Sequence, residues 1–183
     1  MFIHSIKYCF SCGTPIEKRE VSGDTKKRYI CENCGNIHYT NPKIVVGALS
    51  SWEDKVLLCK RDIEPRRGYW NVPAGYLEDF EKAEEGAIRE TWEEAGTEIE
   101  ILQPYVIYNL PQANQVYIHF LARLKDGIVR NGEESQESGL FTEEEVPWNE
   151  MAFTSSIFAL RRYFVERKTG IFTTHLGTYP DKI

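Results

Sequence analysis

Residues 75 to 97, GYLEDFEKAEEGAIRETWEEAGT, place the tightest local constraint on this chain. A glycine loop leads into a stretch from Phe80 to Ala95 that holds no proline, and Gly96 stands where a helix end needs a residue free to turn left-handed. The segment therefore reads as one helix, with Ala83, Ala87 and Ile88 as a small apolar stripe. On that helix Glu90, Glu93 and Glu94 fall at i, i+3 and i+4, on a single face. Three carboxylates so placed repel one another unless a cation lies among them. Hard oxygen ligands at this spacing suit Mg²⁺ or Mn²⁺, and such an ion binds phosphate oxygens and activates water. A charge run is ordinarily a solvated face. Against that reading stand the lack of lysines at i+4, the glycine loop at the helix start, and Arg89, which is in reach of Glu81 or Glu85.

The four cysteines Cys9, Cys12, Cys31 and Cys34 form two C-x-x-C pairs with 18 residues between them, and each pair is followed by a glycine, Gly13 or Gly35. That spacing belongs to the closed Cys₄ zinc ribbon, in which Zn²⁺ is structural. A unit of about this size has no core of its own and folds around its metal. His38 lies outside the ligand set and is expected to be structural or a surface residue. Cys59, in VLLCKRD, reads as a small buried strand residue.

The chain has 183 residues, 42% apolar and 27% charged, with a formal net charge of -6. Without a basic tract it is not expected to bind nucleic acid or anionic membrane non-specifically. An acidic protein that handles a phosphate anion needs a cation at its site. No stretch approaches the ~20 apolar residues of a membrane span. The segment MFIHSIKYCF is too short and too polar for a signal peptide, so the cytoplasm is the expected compartment.

Asn41-Pro42 marks a boundary, giving a zinc ribbon over 1–40 and a second domain over 41–183. In the ribbon, 14–30 reads as a hairpin turning at Gly23-Asp24. Beyond the boundary, KIVVGALS and KVLLCKRD read as strands around the turn 52–54, and a short strand over 68–75 enters the glycine loop. Further strands are expected over 105–110, 116–124 and 140–141, then a helical turn over 142–146. A second helix over 155–168 has Ile157, Phe158, Leu160, Phe164 and Val165 as its apolar face.

The spacing Gly75, five residues, Glu81, seven residues, Arg89-Glu90, two residues, Glu93-Glu94, one residue, Gly96 resembles the Nudix box at every Gly, Glu and Arg position. Thr91 and Thr97 depart from it, standing where an aliphatic residue is usual, and are read as a change in packing. The resemblance implies an α+β fold, an α/β/α sandwich with a mixed sheet. It implies catalytic Mg²⁺ or Mn²⁺ on Glu90, Glu93 and Glu94, with Glu81 orienting the helix or bonding Arg89. The general base comes either from the box, as Glu90 or Glu93, or from Glu137 in an acidic loop. Upstream of the box, Arg61, Arg66 and Arg67 are candidates for phosphate. Tyr69 or Trp70 could stack on a flat base, Tyr105, Tyr108 and Tyr117 are alternatives, and Gly75 is expected near the substrate.

A ribbon joined to such a domain resembles two groups. NADH pyrophosphatases carry a Ser-Gln-Pro-Trp-Pro-Phe-Pro-x-Ser motif, whereas this chain reads Tyr108-Asn109-Leu110-Pro111-Gln112-Ala113-Asn114-Gln115 in that region. The plastid-type FAD and ADP-ribose pyrophosphatases are similar along most of the chain, through NPKIVVGAL, GYWNVPAGYLE, RETWEEAG, LFTEEEVPW and FTSSIFALRRYF. That likeness implies cleavage of the diphosphate in FAD or ADP-ribose, and a homodimer. The alternatives are an NADH pyrophosphatase, or a nucleotide-sensing module without catalysis, which would be expected to lose box glutamates.

Overall fold

The computed structural model describes residues 5–180; the ends of the N-terminal segment and of the tail lie outside that range. The chain forms two compact units that meet between Pro42 and Lys43. In the first, β1 (Glu17–Arg19), β2 (Arg28–Ile30) and β3 (Ile37–His38) make a three-stranded antiparallel sheet.

The second unit is a mixed sheet between two helices. Its strands are β4 (Lys43–Trp52), β5 (Lys55–Arg61), β6 (Trp70–Asn71), β7 (Ala74–Tyr76), β8 (Ile99–Leu110), β9 (Gln115–Leu124), β10 (Ser135–Phe141) and β11 (His175–Thr178). The helices are α1 (Ala83–Ala95) and α2 (Thr154–Glu166). The main path runs β10-β5-β4-β9-β8-β11, with β4–β9 and β8–β11 parallel and the other neighbours antiparallel.

Alternation along the central strands separates two cores. Val56, Leu58, Tyr117 and Leu121 pack with Leu160, Tyr163 and Phe164 of α2. Leu57, Cys59, Phe120 and Ala122 pack with Ala87 and Ala95 of α1. The two helices thus cover opposite faces. The buried face of α1 carries Gly86, Ala87, Thr91 and Ala95, all small, so the helix lies close on the sheet. Thr91 satisfies its hydroxyl by donating to Ala87 O at 2.7 Å, whereas buried Thr97 has no side-chain partner for Oγ1.

The strands β4 and β5 pair only beside their turn, at Ser51–Val56 and Trp52–Lys55. They then diverge: β4 takes β7 as its partner and β5 takes β6. Strands β6 and β7 occupy this opening, and β7 meets α1.

Several elements differ from the sequence reading. Helix α1 begins at Ala83 because Phe80 adopts φ 65° and Lys82 is extended. Strand β8 starts at Ile99, six residues early, with irregularities around Gln103 and Pro104. Strand β10 starts at Ser135 rather than Leu140, and β11 lies beyond the second helix, where no strand was expected. The face of α2 is rotated from the expected one, since Ser155, Ser156, Ala159 and Tyr163 are buried while Val165 is exposed.

Candidate active site

The box helix meets β7 at its functional end. Ala74 N–H donates to Glu94 Oε1 at 3.3 Å. A Cβ on Gly75 would overlap the Glu90 carboxyl group, so the glycine lets that carboxylate lie on the strand backbone. Gly75, expected near the substrate, thus also makes room for a carboxylate. Arg89 organises the exposed side. Its Nε and Nη2 bond the two oxygens of Glu81 at 2.8 and 2.9 Å, Nη1 bonds Glu90 at 2.7 Å and Glu93 at 3.0 Å, and Nη2 also reaches Tyr76 O at 3.1 Å. Of the two carboxylates in reach by sequence, Arg89 takes Glu81; Glu85 instead pairs with Lys82 at 3.0 Å.

Burial decides the charge of this cluster. Glu94 is pushed up to about 8 by desolvation, with the nearby Glu90 and Glu134 adding to it. Glu90 is raised for the same first reason, and again Glu134 contributes. Arg61 opposes the shift of Glu94. A group of carboxylates this unfavourable when ionised fits a divalent cation, whose charge would offset both the desolvation and the repulsion. Glu90, Glu93 and Glu94 do not converge on their own: among the described residues, only the four ribbon cysteines bring three or more ligand atoms within 4.8 Å of one another.

The loop carboxylate whose charge acts on both Glu90 and Glu94 is Glu134. The expectation placed Glu137 there, in a loop. It lies instead within β10, next to Ser138, whose Oγ donates to Glu94 O at 3.1 Å. Successive strand residues face opposite ways, so Glu137 points away from α1. The sequence reading named Glu137 alone from the acidic run 133–137, and the start of β10 at Ser135 leaves Glu134 before the strand.

The aromatic candidates divide by burial. Trp70 belongs to the core, packed edge-on against Phe141 at 4.9 Å, and Tyr105 and Tyr108 are fully buried, so none of the three is a stacking wall. Tyr117 is also buried, with its hydroxyl on Gln115 at 3.3 Å. Tyr69 and Tyr76 remain exposed, with Arg66 5.5 Å from the ring centroid of the first and Lys43 4.7 Å from that of the second. Tyr76 was missed, though its place directly after Gly75 was a usable signal. Arg61 is buried, donates to Pro65 O at 2.9 Å and lies over Phe153 at 5.1 Å. Arg67 is taken up by Asp62.

In the ribbon, Cys9 and Cys34 sulfurs lie 3.6 Å apart and those of Cys12 and Cys31 3.5 Å. Zn–S bonds of about 2.3 Å in a tetrahedron require edges of about 3.8 Å, so the set fits Zn²⁺. The two knuckles match: Gly13 N–H donates to Cys9 O at 2.9 Å and Gly35 N–H to Cys31 O at 2.8 Å, with both glycines left-handed. His38 Nε2 lies 3.2 Å from Cys9 Sγ, a contact outside the four ligands.

Residues 41–161 match the NUDIX domain family, and residues 7–40 match the Nudix N-terminal zinc-ribbon family. The chain belongs to the Nudix family. A crystal structure of a NUDIX hydrolase from Nitrosomonas europaea is 48% identical, covers 94% of this chain and 98% of its own, and superposes with a TM-score of 0.90. A NAD-capped RNA hydrolase, NudC, from Chromobacterium violaceum is 31% identical over 149 residues, 80% of this chain and 54% of the relative. An ADP-ribose pyrophosphatase from Methanocaldococcus jannaschii is 26% identical over 113 residues, 60% of this chain and 67% of the relative. This Nudix chain thus spans about half the length of the NudC relatives it matches. No described helix is long and apolar enough to cross a membrane.

Proposed function

We propose that this Nudix protein is a metal-dependent pyrophosphohydrolase, cleaving the diphosphate of a nucleoside diphosphate linked to a second moiety. The observation that carries the reading is the buried pair Glu90 and Glu94, both held high against the β7 backbone with Glu134 alongside. Glu90 and Glu94 form the primary ligand pair for Mg²⁺, or Mn²⁺ in its place. Glu93 and Glu134 are available to a second ion or to the attacking water, with Glu134 taking the loop role first assigned to Glu137. The metal supplies charge neutralisation at the bridging and leaving oxygens. Arg89 holds Glu81, Glu90 and Glu93 in register, and Arg61 and Arg66 are the candidate donors to phosphate oxygens. Tyr69 and Tyr76 offer flat faces for a base. Cys9, Cys12, Cys31 and Cys34 would hold one structural Zn²⁺.

ADP-ribose or FAD is the foremost substrate. Support comes from the likeness to the FAD and ADP-ribose enzymes and from the relative named for ADP-ribose. A relative named for NAD-capped RNA keeps NADH as the second reading. A cytoplasmic homodimer is the expected form. The test is Glu94→Gln: it is expected to lower kcat on ADP-ribose with Mg²⁺ by more than about 10²-fold while nucleotide binding stays. Undiminished turnover by this variant would remove the metal site from the account.

A further inference from the structure

The segment that carries Glu134 is fixed at two ends. On one side, Arg130 N–H donates to Ala95 O at 2.8 Å and Gly132 N–H to Glu94 O at 3.0 Å. These are carbonyls of the last turn of α1, which have no partner inside the helix. Gly132 lies so close that a Cβ would overlap Glu93 O. On the other side stands Asp62, just past the end of β5. Its N–H donates to Glu134 O at 2.8 Å. The β10 register shifts between Ser135 and Glu137, leaving Gln136 as the extra residue. A bulge of this kind re-aims the side chains beside it. Gln136 Nε2 donates to Asp62 Oδ1 at 2.9 Å, and Arg67 Nε donates to the same oxygen at 2.9 Å.

We infer that Asp62 is a positioning residue: its carboxylate fastens the 62–68 loop to the bulge of β10 and so sets Glu134 against Glu90 and Glu94. The inference rests on the metal-site reading above. The loop it fastens also carries Arg66 and leads to Tyr69, so the substrate-facing and metal-facing sides of the site share one anchor.

The test uses the metal alone. Mn²⁺ binding to the zinc-loaded full chain is followed by electron paramagnetic resonance for the wild type, Asp62→Ala, Asp62→Asn, Glu134→Gln and the double variant Asp62→Ala/Glu134→Gln. Glu134→Gln and Asp62→Ala are each expected to weaken Mn²⁺ binding about tenfold. The double variant is expected to bind no more weakly than Glu134→Gln, because Asp62 acts through Glu134. Asp62→Asn keeps an oxygen for Gln136 and is expected within about twofold of wild type. Thermal midpoints measured alongside separate this from loss of fold. Additive losses in the double variant, or wild-type binding by Asp62→Ala while Glu134→Gln is impaired, would overturn the role of Asp62 alone. Wild-type binding by Glu134→Gln would overturn the placement of Glu134 and this inference with it.

Discussion

Glu94 combines two roles that pull against each other. Its buried position beside β7 gives a fixed ligand geometry, and the same burial makes its charge costly. In the metal-free protein its folded pKa of about 8 lies above the ordinary value of 4.5. The folded state then holds a proton that the unfolded chain releases, so stability is greatest below about 4.5 and declines as pH rises toward about 8. The difference in thermal midpoint between zinc-loaded wild type and zinc-loaded Glu94→Gln, both without Mg²⁺, is therefore expected to grow against the wild type from pH 5 to pH 8, and Mg²⁺ is expected to close it. A difference that stays flat over that range would mean the carboxyl group is ionised without metal. The sequence made the acidic face readable, because helical spacing alone puts the three glutamates together. Their inequality was not readable: Glu94 is buried and Glu93 half-exposed only because β7 comes down on one side of α1.

Helix α1 shows how far packing can outweigh local preference. Gly86 sits inside the helix, where alanine would be favoured by about 1 kcal/mol. A Cβ there would stand 2.7 Å from Val46 Cγ2 and 2.8 Å from Glu81 Oε2. Overpacking of this kind costs about 1–3 kcal/mol, so Gly86→Ala is expected to lower stability rather than raise it, and to disturb the Glu81–Arg89 pair. Chemical denaturation reads the sign directly, and a stabilised variant would show that the helix can lift off Val46 freely. The strands best read from sequence were β4, β5 and β9, whose apolar runs are buried on both faces. Among those read short or missed were β8, β10 and β11. The run SQESG of β10 has no apolar alternation, and β11 adds only HLGT at the edge of β8. These last two owe their extended form to a waiting sheet edge rather than to their own residues. That is why Glu137 looked like a loop charge. Trp70 stood among the stacking candidates because a core aromatic and a binding aromatic look alike in a sequence.

At the scale of the molecule, the boundary at residue 42 is visible in composition: cysteine knuckles and polar hairpin residues before it, apolar strands after it. The opening between β4 and β5 could not be seen there, because it arises where β6 and β7 replace the direct pairing of the two strands. Arg61 ends β5 on one side of this opening, and on the other β7 meets the box helix through Ala74 and Glu94. The measurement that bears most directly on the hydrolase reading is product analysis of the full zinc-loaded chain with FAD, ADP-ribose and NADH in parallel, each with Mg²⁺. AMP is expected from FAD and ADP-ribose, with FMN or ribose 5-phosphate as the second product, and turnover of NADH is expected to be slower. Binding of all three without cleavage, in Mg²⁺ and in Mn²⁺ alike, would contradict hydrolysis and leave a nucleotide-sensing module.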